Sequence, residues 1–144
     1  MSTYTSRALP TETDVLAAVC LLLVHVPGHR PTAADVAAFF GYRERGFRKL
    51  WKNATREPLK SLIPFACGLR AAWLVNVEHE KGLSAAIAAG QTNPSNVNRQ
   101  LKRRLGITLR DCRDRLPQGF DWNRLRVACI DLETRRHRAE APHG

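Results

Sequence analysis

The sequence predicts an all-α fold: two helix-turn-helix subdomains joined by a long linking helix, with an extra helix at the C-terminus. The main observation is a repeat. Positions 36–52 and 85–102 each contain a small apolar helix, a glycine and a second helix rich in Arg, Lys and Asn. A mostly apolar stretch at 59–77 separates the two copies and has the length of one helix. Corresponding residues of the two copies lie 50 positions apart: Phe47 and Val97, Trp51 and Leu101, and Lys52 and Lys102.

The N-terminal segment is expected to form a flexible arm over residues 1–12, followed by a first helix. Thr11 or Thr13 caps this helix, because a threonine side-chain oxygen accepts a hydrogen bond from a backbone N–H of the first turn. The helix should run to about Val26, where the Pro-Gly pair at 27–28 ends it.

The first helix-turn-helix unit opens at Thr32, an N-cap residue with Asp35 in the first helical turn. Its positioning helix is expected over 33–40. Gly41 then lets the backbone turn where a Cβ atom would be strained. The basic second helix of the unit, the first recognition helix, is expected over 43–54.

The second unit repeats this order with one more residue in its turn. Its positioning helix begins at Leu83 or Ser84 and ends at Gly90. Asn93 followed by a proline is typical of an N-cap and a first helical position. The second recognition helix is therefore expected over 94–105.

The linking helix has a length that matters for any duplex partner. From Pro64 to His79 it would span roughly 24 Å, and from Pro58 roughly 33 Å. Successive major-groove faces on one side of a duplex lie about 34 Å apart. Pro64 should mark either the start of the helix or a kink, since a proline inside a helix removes a hydrogen bond.

The C-terminal segment contains a further helix, expected over 121–136. We expect this helix to dock on the second unit through one apolar stripe, and an exposed stripe would instead indicate dimerisation. The stripe consists of Phe120, Trp122, Leu125, Cys129 and Leu132.

The chain is long enough, at 144 residues, to bury one core or two small subdomains. Its composition, 44% hydrophobic and 25% charged, excludes disorder throughout. The pattern divides the chain into a flexible arm (1–12), a first helix-turn-helix subdomain (13–57), a linking helix (58–80), a second subdomain (81–116) and a C-terminal helix with a basic tail (117–144).

Each recognition helix is expected to have an anchoring face and an outer face. In the first, Phe47, Leu50 and Trp51 share one helical face. In the second, Val97, Leu101 and Leu105 form the apolar stripe. The outer faces then carry Arg45, Arg48, Lys49 and Lys52 in the first helix, and Ser95, Asn96, Asn98, Arg99, Lys102 and Arg103 in the second.

The net charge of +10 is concentrated in two windows. Positions 43–60 and 94–115 each hold seven basic and two acidic residues, so each window has a charge of +5 and the rest of the chain is neutral. A single basic run is often only a solvated face. Two such runs, both on second helices of a paired-helix unit, favour a polyphosphate partner.

Other function classes find little support. The Cys20, His25 and His29 set spans the break at 27–28, so one helical face cannot hold all three as metal ligands. Nothing brings Cys67 and His79 together as a nucleophilic pair. We expect no metal, no cofactor and no catalytic residue. The apolar run at 15–26 is too short to span a bilayer and lacks the basic start of a signal peptide, so no membrane partner and a cytoplasmic, nucleoid-associated protein are expected.

Residues of both units match a known pattern. In the first unit they are Val36-Ala37, Arg43 and the run from Phe47 to Lys52, and in the linking helix Arg70. In the second unit they are Gly90, Val97, Arg99, Leu101, Lys102, Arg103, Gly106, Thr108 and Arg113. With these residues, positions 13–115 resemble the DNA-binding domain of the AraC family of transcriptional regulators.

The resemblance implies a stand-alone regulator, without a ligand-sensing domain, that binds double-stranded DNA as a monomer with its recognition helices in adjacent major grooves. It implies base-edge contacts by Arg45, Arg48, Lys49, Ser95, Asn96, Asn98 and Arg99, and phosphate contacts by Arg43, Lys52, Lys102 and Arg103.

An alternative is open: a degenerate AraC-like interaction module that binds RNA polymerase or another regulator with little DNA sequence specificity. It is favoured by departures from the family pattern, which include Gln91 and Leu109 and the helix-disfavouring Gly46 and Pro64.

Overall fold

The computed structural model describes residues 9–140, with side chains to His137. This part of the chain is all-helical and contains no strand, so the predicted fold class is confirmed. The eight α-helices are α1 (Glu12–His25), α2 (Ala33–Phe39), α3 (Glu44–Thr55), α4 (Leu62–Asn76), α5 (Gly82–Ala88), α6 (Pro94–Leu105), α7 (Leu109–Cys112) and α8 (Trp122–Glu140).

The predicted caps account for where the helices begin. Thr11, not Thr13, caps α1: its hydroxyl accepts from the Asp14 N–H, and the Asp14 carboxylate accepts from the Thr11 N–H, each at 3.1 Å. Thr32 forms the same reciprocal pair with Asp35 at the start of α2. Asn93 caps α6, and the proline that follows it takes the first helical position. These local hydrogen bonds place each helix start within a residue or two of the prediction.

The turn glycines are required by backbone geometry. Gly41 and Gly90 have φ values of 76° and 77°, in the left-handed region that other residues rarely adopt. At Gly90 the space is restricted as well, because an added Cβ atom would lie 2.8 Å from the Cα atom of Arg30. Both predicted turns are therefore present.

The linking helix α4 lies at the centre of the fold and packs against α1, α5, α6 and α7. A 3₁₀ turn at Leu59–Ser61 leads into it, and Pro64 occupies its third position, where a missing N–H costs no intrahelical hydrogen bond. Pro64 thus marks the helix start and causes no kink. The 15 residues of α4 span about 23 Å. The helix is shorter than the expected 58–80 segment, because a 3₁₀ turn precedes it and the chain turns after it at His79, with φ of 57°.

The docking site of the C-terminal helix differs from the prediction. The main packing partner of α8 is α1, and within the described residues α8 has no comparable contact with a helix of the second unit. Phe120 and Trp122, at the start of α8, lie against α4. The ring centroids of Phe120 and Phe65 are 6.0 Å apart, and those of Trp122 and Trp73 are 6.2 Å apart. The reason is that α1 is apolar around most of its circumference, so α4 alone cannot bury its surface and a second helix packs against it.

The core is continuous through both helix-turn-helix units. The predicted arm at 1–12 lies mostly outside the described residues; within its described part, Leu9 packs against the core and Glu12 begins α1. Within residues 9–140, every helix is too short or too polar to traverse a lipid bilayer.

Candidate nucleic-acid interface

The anchoring face of α3 is aromatic. Phe47 is fully buried, and Trp51 is 2% exposed. The Phe47 ring lies 4.9 Å from the Tyr42 ring and 6.1 Å from each of the Phe40 and Trp51 rings, measured between centroids. The predicted anchors Phe47 and Trp51 are confirmed as buried residues, and a chain of packed rings holds α3 against α2.

Leu50 does not belong to that face, and its predicted anchoring role is wrong. Its side chain is 47% exposed. The neighbouring aromatic residues cover the side of α3 that carries Phe47 and Trp51, and Leu50 falls at the edge of this covered arc. Helical spacing alone could not show how wide the covered arc would be.

The outer face of α3 is basic and open to solvent. Arg43 is the N-cap residue of the helix and is itself exposed. Arg48 forms an ion pair with Glu44 one turn earlier, with 3.8 Å between nitrogen and oxygen. Both partners are exposed, so this pair is weak and leaves the guanidinium able to exchange partners. The other exposed basic residues of this face are Arg45, Lys49 and Lys52.

The second recognition helix, α6, is built in the same way with aliphatic anchors. Val97 and Leu101 are buried and Leu105 is half-buried, as the stripe predicted. The polar side chains exposed on the other side are Ser95, Arg99, Lys102 and Arg103. The offset of 50 residues between the copies thus relates buried anchors to buried anchors and basic residues to basic residues.

Two asparagines of α6 are engaged within the protein. The Asn98 side-chain oxygen accepts a hydrogen bond from the Leu109 N–H at 2.8 Å, which joins α6 to the start of α7. The Asn96 amide donates to the Thr92 hydroxyl at 3.0 Å. Both side chains are half-buried. Asn98 lies three residues before the buried Leu101, a spacing that places it at the border of the anchoring face.

Arg104 has a structural role that the sequence did not reveal. Its guanidinium lies 4.8 Å from the centroid of the Phe65 ring and donates to the Ser61 carbonyl at 3.5 Å. These contacts join the end of α6 to the start of the linking helix. The charge of Arg104 therefore also serves to orient the second recognition helix.

A capping box at the start of α7 follows directly after α6. The Thr108 N–H and hydroxyl donate to the Asp111 carboxylate at 3.2 and 3.1 Å. These hydrogen bonds, with a smaller contribution from the Lys102 charge, hold the pKa of Asp111 below its usual value. The pattern Thr-x-x-Asp at 108–111 is a signal that could have located this helix from sequence.

The residues considered for metal binding or nucleophilic chemistry lie apart. His25 pairs with Glu133 of α8 at 3.2 Å. Burial raises the pKa of Cys20 and Cys67, so neither thiol has nucleophilic character at neutral pH. Among the described residues, no group of three or more His, Cys, Asp or Glu side chains is arranged to hold a metal ion.

Comparisons with protein-family models and with curated protein sequences gave no match. Among solved structures, the fold is similar to one described as the crystal structure of a DNA-binding transcriptional dual regulator from Escherichia coli K-12. The TM-score is 0.55 at 16% sequence identity, and the match covers 76% of this chain and 96% of that chain. At this identity the likeness shows a shared fold.

Proposed function

We propose that this protein is a sequence-specific, double-stranded-DNA-binding transcription regulator of AraC type, with α3 and α6 in adjacent major grooves of one duplex. One observation carries the proposal: two helices at corresponding positions of a repeated unit each bury an apolar face and expose a basic one. The windows that contain these helices hold the whole net charge of +10. The shared fold with a protein described as a DNA-binding transcriptional regulator supports it.

In this proposal the polar side chains of α3 and α6 are divided into those that contact base edges and those that contact phosphates. Arginine matches the two acceptors of guanine in the major groove, whereas a lysine placed along the backbone contributes charge without sequence information. Asn98 is left out of the base-contact set, since its side-chain oxygen is bonded to Leu109. Base contacts are assigned to Arg45, Arg48, Lys49, Ser95, Asn96 and Arg99, and phosphate contacts to Arg43, Lys52, Lys102 and Arg103.

Binding of both units to one duplex rests on the linking helix. The 15 residues of α4 form a stiff helix of about 23 Å that joins the two helix-turn-helix units, and α6 packs against it. Such a helix holds the two recognition helices at a fixed separation, as binding to major grooves roughly 34 Å apart on one duplex requires. The division into subdomains at 13–57 and 81–116 is part of this proposal, as is binding as a monomer.

Footprinting on a selected duplex tests the proposal. We expect protection over about two helical turns, roughly 20 base pairs. In a randomised site library, Arg99→Ala should weaken binding by about 1–3 kcal/mol and relax preference at one base position. Lys102→Ala should weaken binding to all sequences alike. It should also lower the slope of the logarithm of the binding constant against the logarithm of the salt concentration by about one. The two residues are matched controls, because both are exposed on the same helix.

Other outcomes would contradict the proposal in defined ways. Protection of a single turn would show that only one unit binds, and identical profiles for the two variants would show that the base and phosphate roles are misassigned. If competitor DNA at moderate salt displaced the protein completely from the selected duplex, binding would be electrostatic attraction without sequence specificity. That last result would favour the interaction module, for which RNA polymerase is the partner to test.

A further inference from the structure

An apolar cleft lies between α1, α4 and α8, away from both recognition helices. Its volume is about 190 Å³. About one turn each of α1 and α4 and about two turns of α8 contribute side chains to the lining, among them Leu21 of α1, Leu69 of α4 and Leu125 of α8. Val24, which is 47% exposed, also lines the cleft and marks its opening to solvent. Protein ligand sites commonly have this form, an apolar recess between helices with few polar groups.

Two tryptophans give the cleft a fixed aromatic wall. The Trp122 indole N–H donates to the Pro117 carbonyl at 2.9 Å, and its ring packs edge-on against Phe120 at 5.1 Å between centroids. The Trp122 ring also packs against Trp73, with centroids 6.2 Å apart. These contacts leave the rings little freedom to swing into the cleft, so the space is preformed. A flat ring is the shape that packs best against such a wall.

Two arginines add positive charge to this apolar surface. Arg70 of α4 is half-buried and Arg126 of α8 is exposed, and both line the cleft. Across residues 9–140, neither guanidinium takes part in an ion pair or a hydrogen bond. Structural arginines near a core usually pair with a carboxylate, whereas these two are available to a ligand.

Among the described side chains that line the cleft, none is a carboxylate. Burial raises the pKa of Cys20, and it raises the pKa of Cys129 to about 11, so both thiols that line the cleft are neutral at pH 7. Glu133 lies one turn beyond Cys129, and its carboxylate pairs with His25 at 3.2 Å and with His137 at 3.4 Å. The described lining of the cleft therefore combines apolar side chains with two arginines and contains no acidic residue.

We propose that this cleft binds a monocyclic aromatic carboxylate. Its ring lies against Trp73 and Trp122, and its carboxylate accepts hydrogen bonds from Arg70 and Arg126. The size fits, because an apolar cavity of about 150 Å³ in another protein holds one benzene molecule. A phosphate dianion fits poorly, since its desolvation by the apolar walls costs more than that of a monoanion. The site is independent of the proposed DNA binding and its test needs no DNA.

Titration with sodium phenylacetate tests the site. The full chain has three tryptophans, so a Trp51→Phe background confines the fluorescence signal to the two at the cleft. We expect a saturable change in emission, and binding of the neutral analogue 2-phenylethanol about tenfold weaker or more, as loss of a charged hydrogen bond implies. Arg70→Met and Arg126→Met should each weaken phenylacetate binding by about tenfold, because Met keeps an apolar stem without the charge. The matched control is Arg124→Met, an exposed arginine of α8 that does not line the cleft, and it should bind normally.

Two filling variants locate the ligand. Cys129→Phe occupies the interior of the cleft, and Val24→Phe narrows its mouth at an exposed position where folding is not at risk. Both should abolish the saturable change, with circular dichroism confirming the helical fold. The proposal is overturned if phenylacetate gives no saturable change, if 2-phenylethanol binds equally well, or if Arg124→Met weakens binding as much as Arg126→Met. Unaltered binding by Val24→Phe, the variant expected to fold in every case, would place the ligand elsewhere and also overturn it.

Discussion

Trp51 and Leu50 are neighbours in sequence with opposite surroundings. Trp51 is 2% exposed, and Leu50 is 47% exposed. We expect Trp51→Ala to lower the free energy of unfolding by about 3–5 kcal/mol, as for other buried aromatic residues. Leu50→Ala, the matched control on the same helix, should change it by less than about 0.5 kcal/mol. Urea denaturation of the two variants measures the difference.

Trp51→Phe should be tolerated. The indole N–H of Trp51 is buried and has no hydrogen-bond partner among the described residues, so a phenyl ring removes a polar atom that nothing satisfies. A stable Trp51→Ala protein that had lost only DNA affinity would show that the indole faces DNA rather than the core.

Asn98 tests whether a polar residue of the recognition helix is structural. Asn98→Ala would leave the Leu109 N–H without its acceptor and should lower the free energy of unfolding by about 1–3 kcal/mol. Asn98→Asp keeps an acceptor oxygen at the same place and should retain most of that stability, although its negative charge would weaken DNA binding. Thermal denaturation and a binding assay on the same pair separate the two effects. Equal stability of the alanine and wild-type proteins would refute the structural role.

At the scale of single helices, α3 contains a glycine that its backbone does not require. An added Cβ atom at Gly46 would meet no other atom within 4 Å. Gly46→Ala should therefore raise the free energy of unfolding by about 0.5–1 kcal/mol, because alanine loses less backbone entropy in a helix. Gly90→Ala, the contrasting variant, should be destabilising, since Gly90 has φ of 77° and its Cβ atom would contact the Arg30 backbone. Chemical denaturation of both variants shows whether each change raises or lowers the free energy of unfolding.

The capping box of α7 predicts a pH dependence. Hydrogen bonds from Thr108 lower the pKa of Asp111 below the usual 3.8, so the folded state favours its carboxylate form. The stabilisation is then present above pH 3.8 and is lost as the pH falls through the lower folded-state pKa. Asp111→Asn should have a lower melting temperature than wild type at pH 7. This difference in melting temperature should disappear as the pH falls through the folded-state pKa of Asp111. A gap that stayed constant down to pH 2 would exclude the carboxylate as its cause.

At the scale of the whole molecule, α8 completes the core around α1. Leu125 and Leu132 of α8 are buried in that contact. A chain that ends at Gly119 should lose at least about 3 kcal/mol of stability, because burial of each leucine contributes roughly 1.5–3 kcal/mol. A chain that ends at Arg136 keeps both leucines and is the control. Calorimetry should show the loss in the shorter chain alone, and equal melting temperatures would mean that α8 is dispensable for the fold.

The sequence by itself determined the local structure of this protein. The repeat, the Thr32 cap, the turn at Gly41 and the buried anchors Trp51 and Leu101 could all be predicted. Each depends on hydrogen bonds, backbone angles or helical spacing among residues close in the chain. Such interactions are encoded within a few residues, so they can be read without knowing the rest of the fold.

The tertiary structure alone decided how distant segments meet. It placed α8 on α1 instead of the second unit, left Leu50 exposed, bonded Asn98 to Leu109 and set Arg104 over Phe65. It also formed the cleft between α1, α4 and α8. These features depend on which helices pack against the same apolar face and on how much of each helix surface becomes buried. Burial of apolar area is non-directional, so helical periodicity shows that a face must be covered but not which helix covers it.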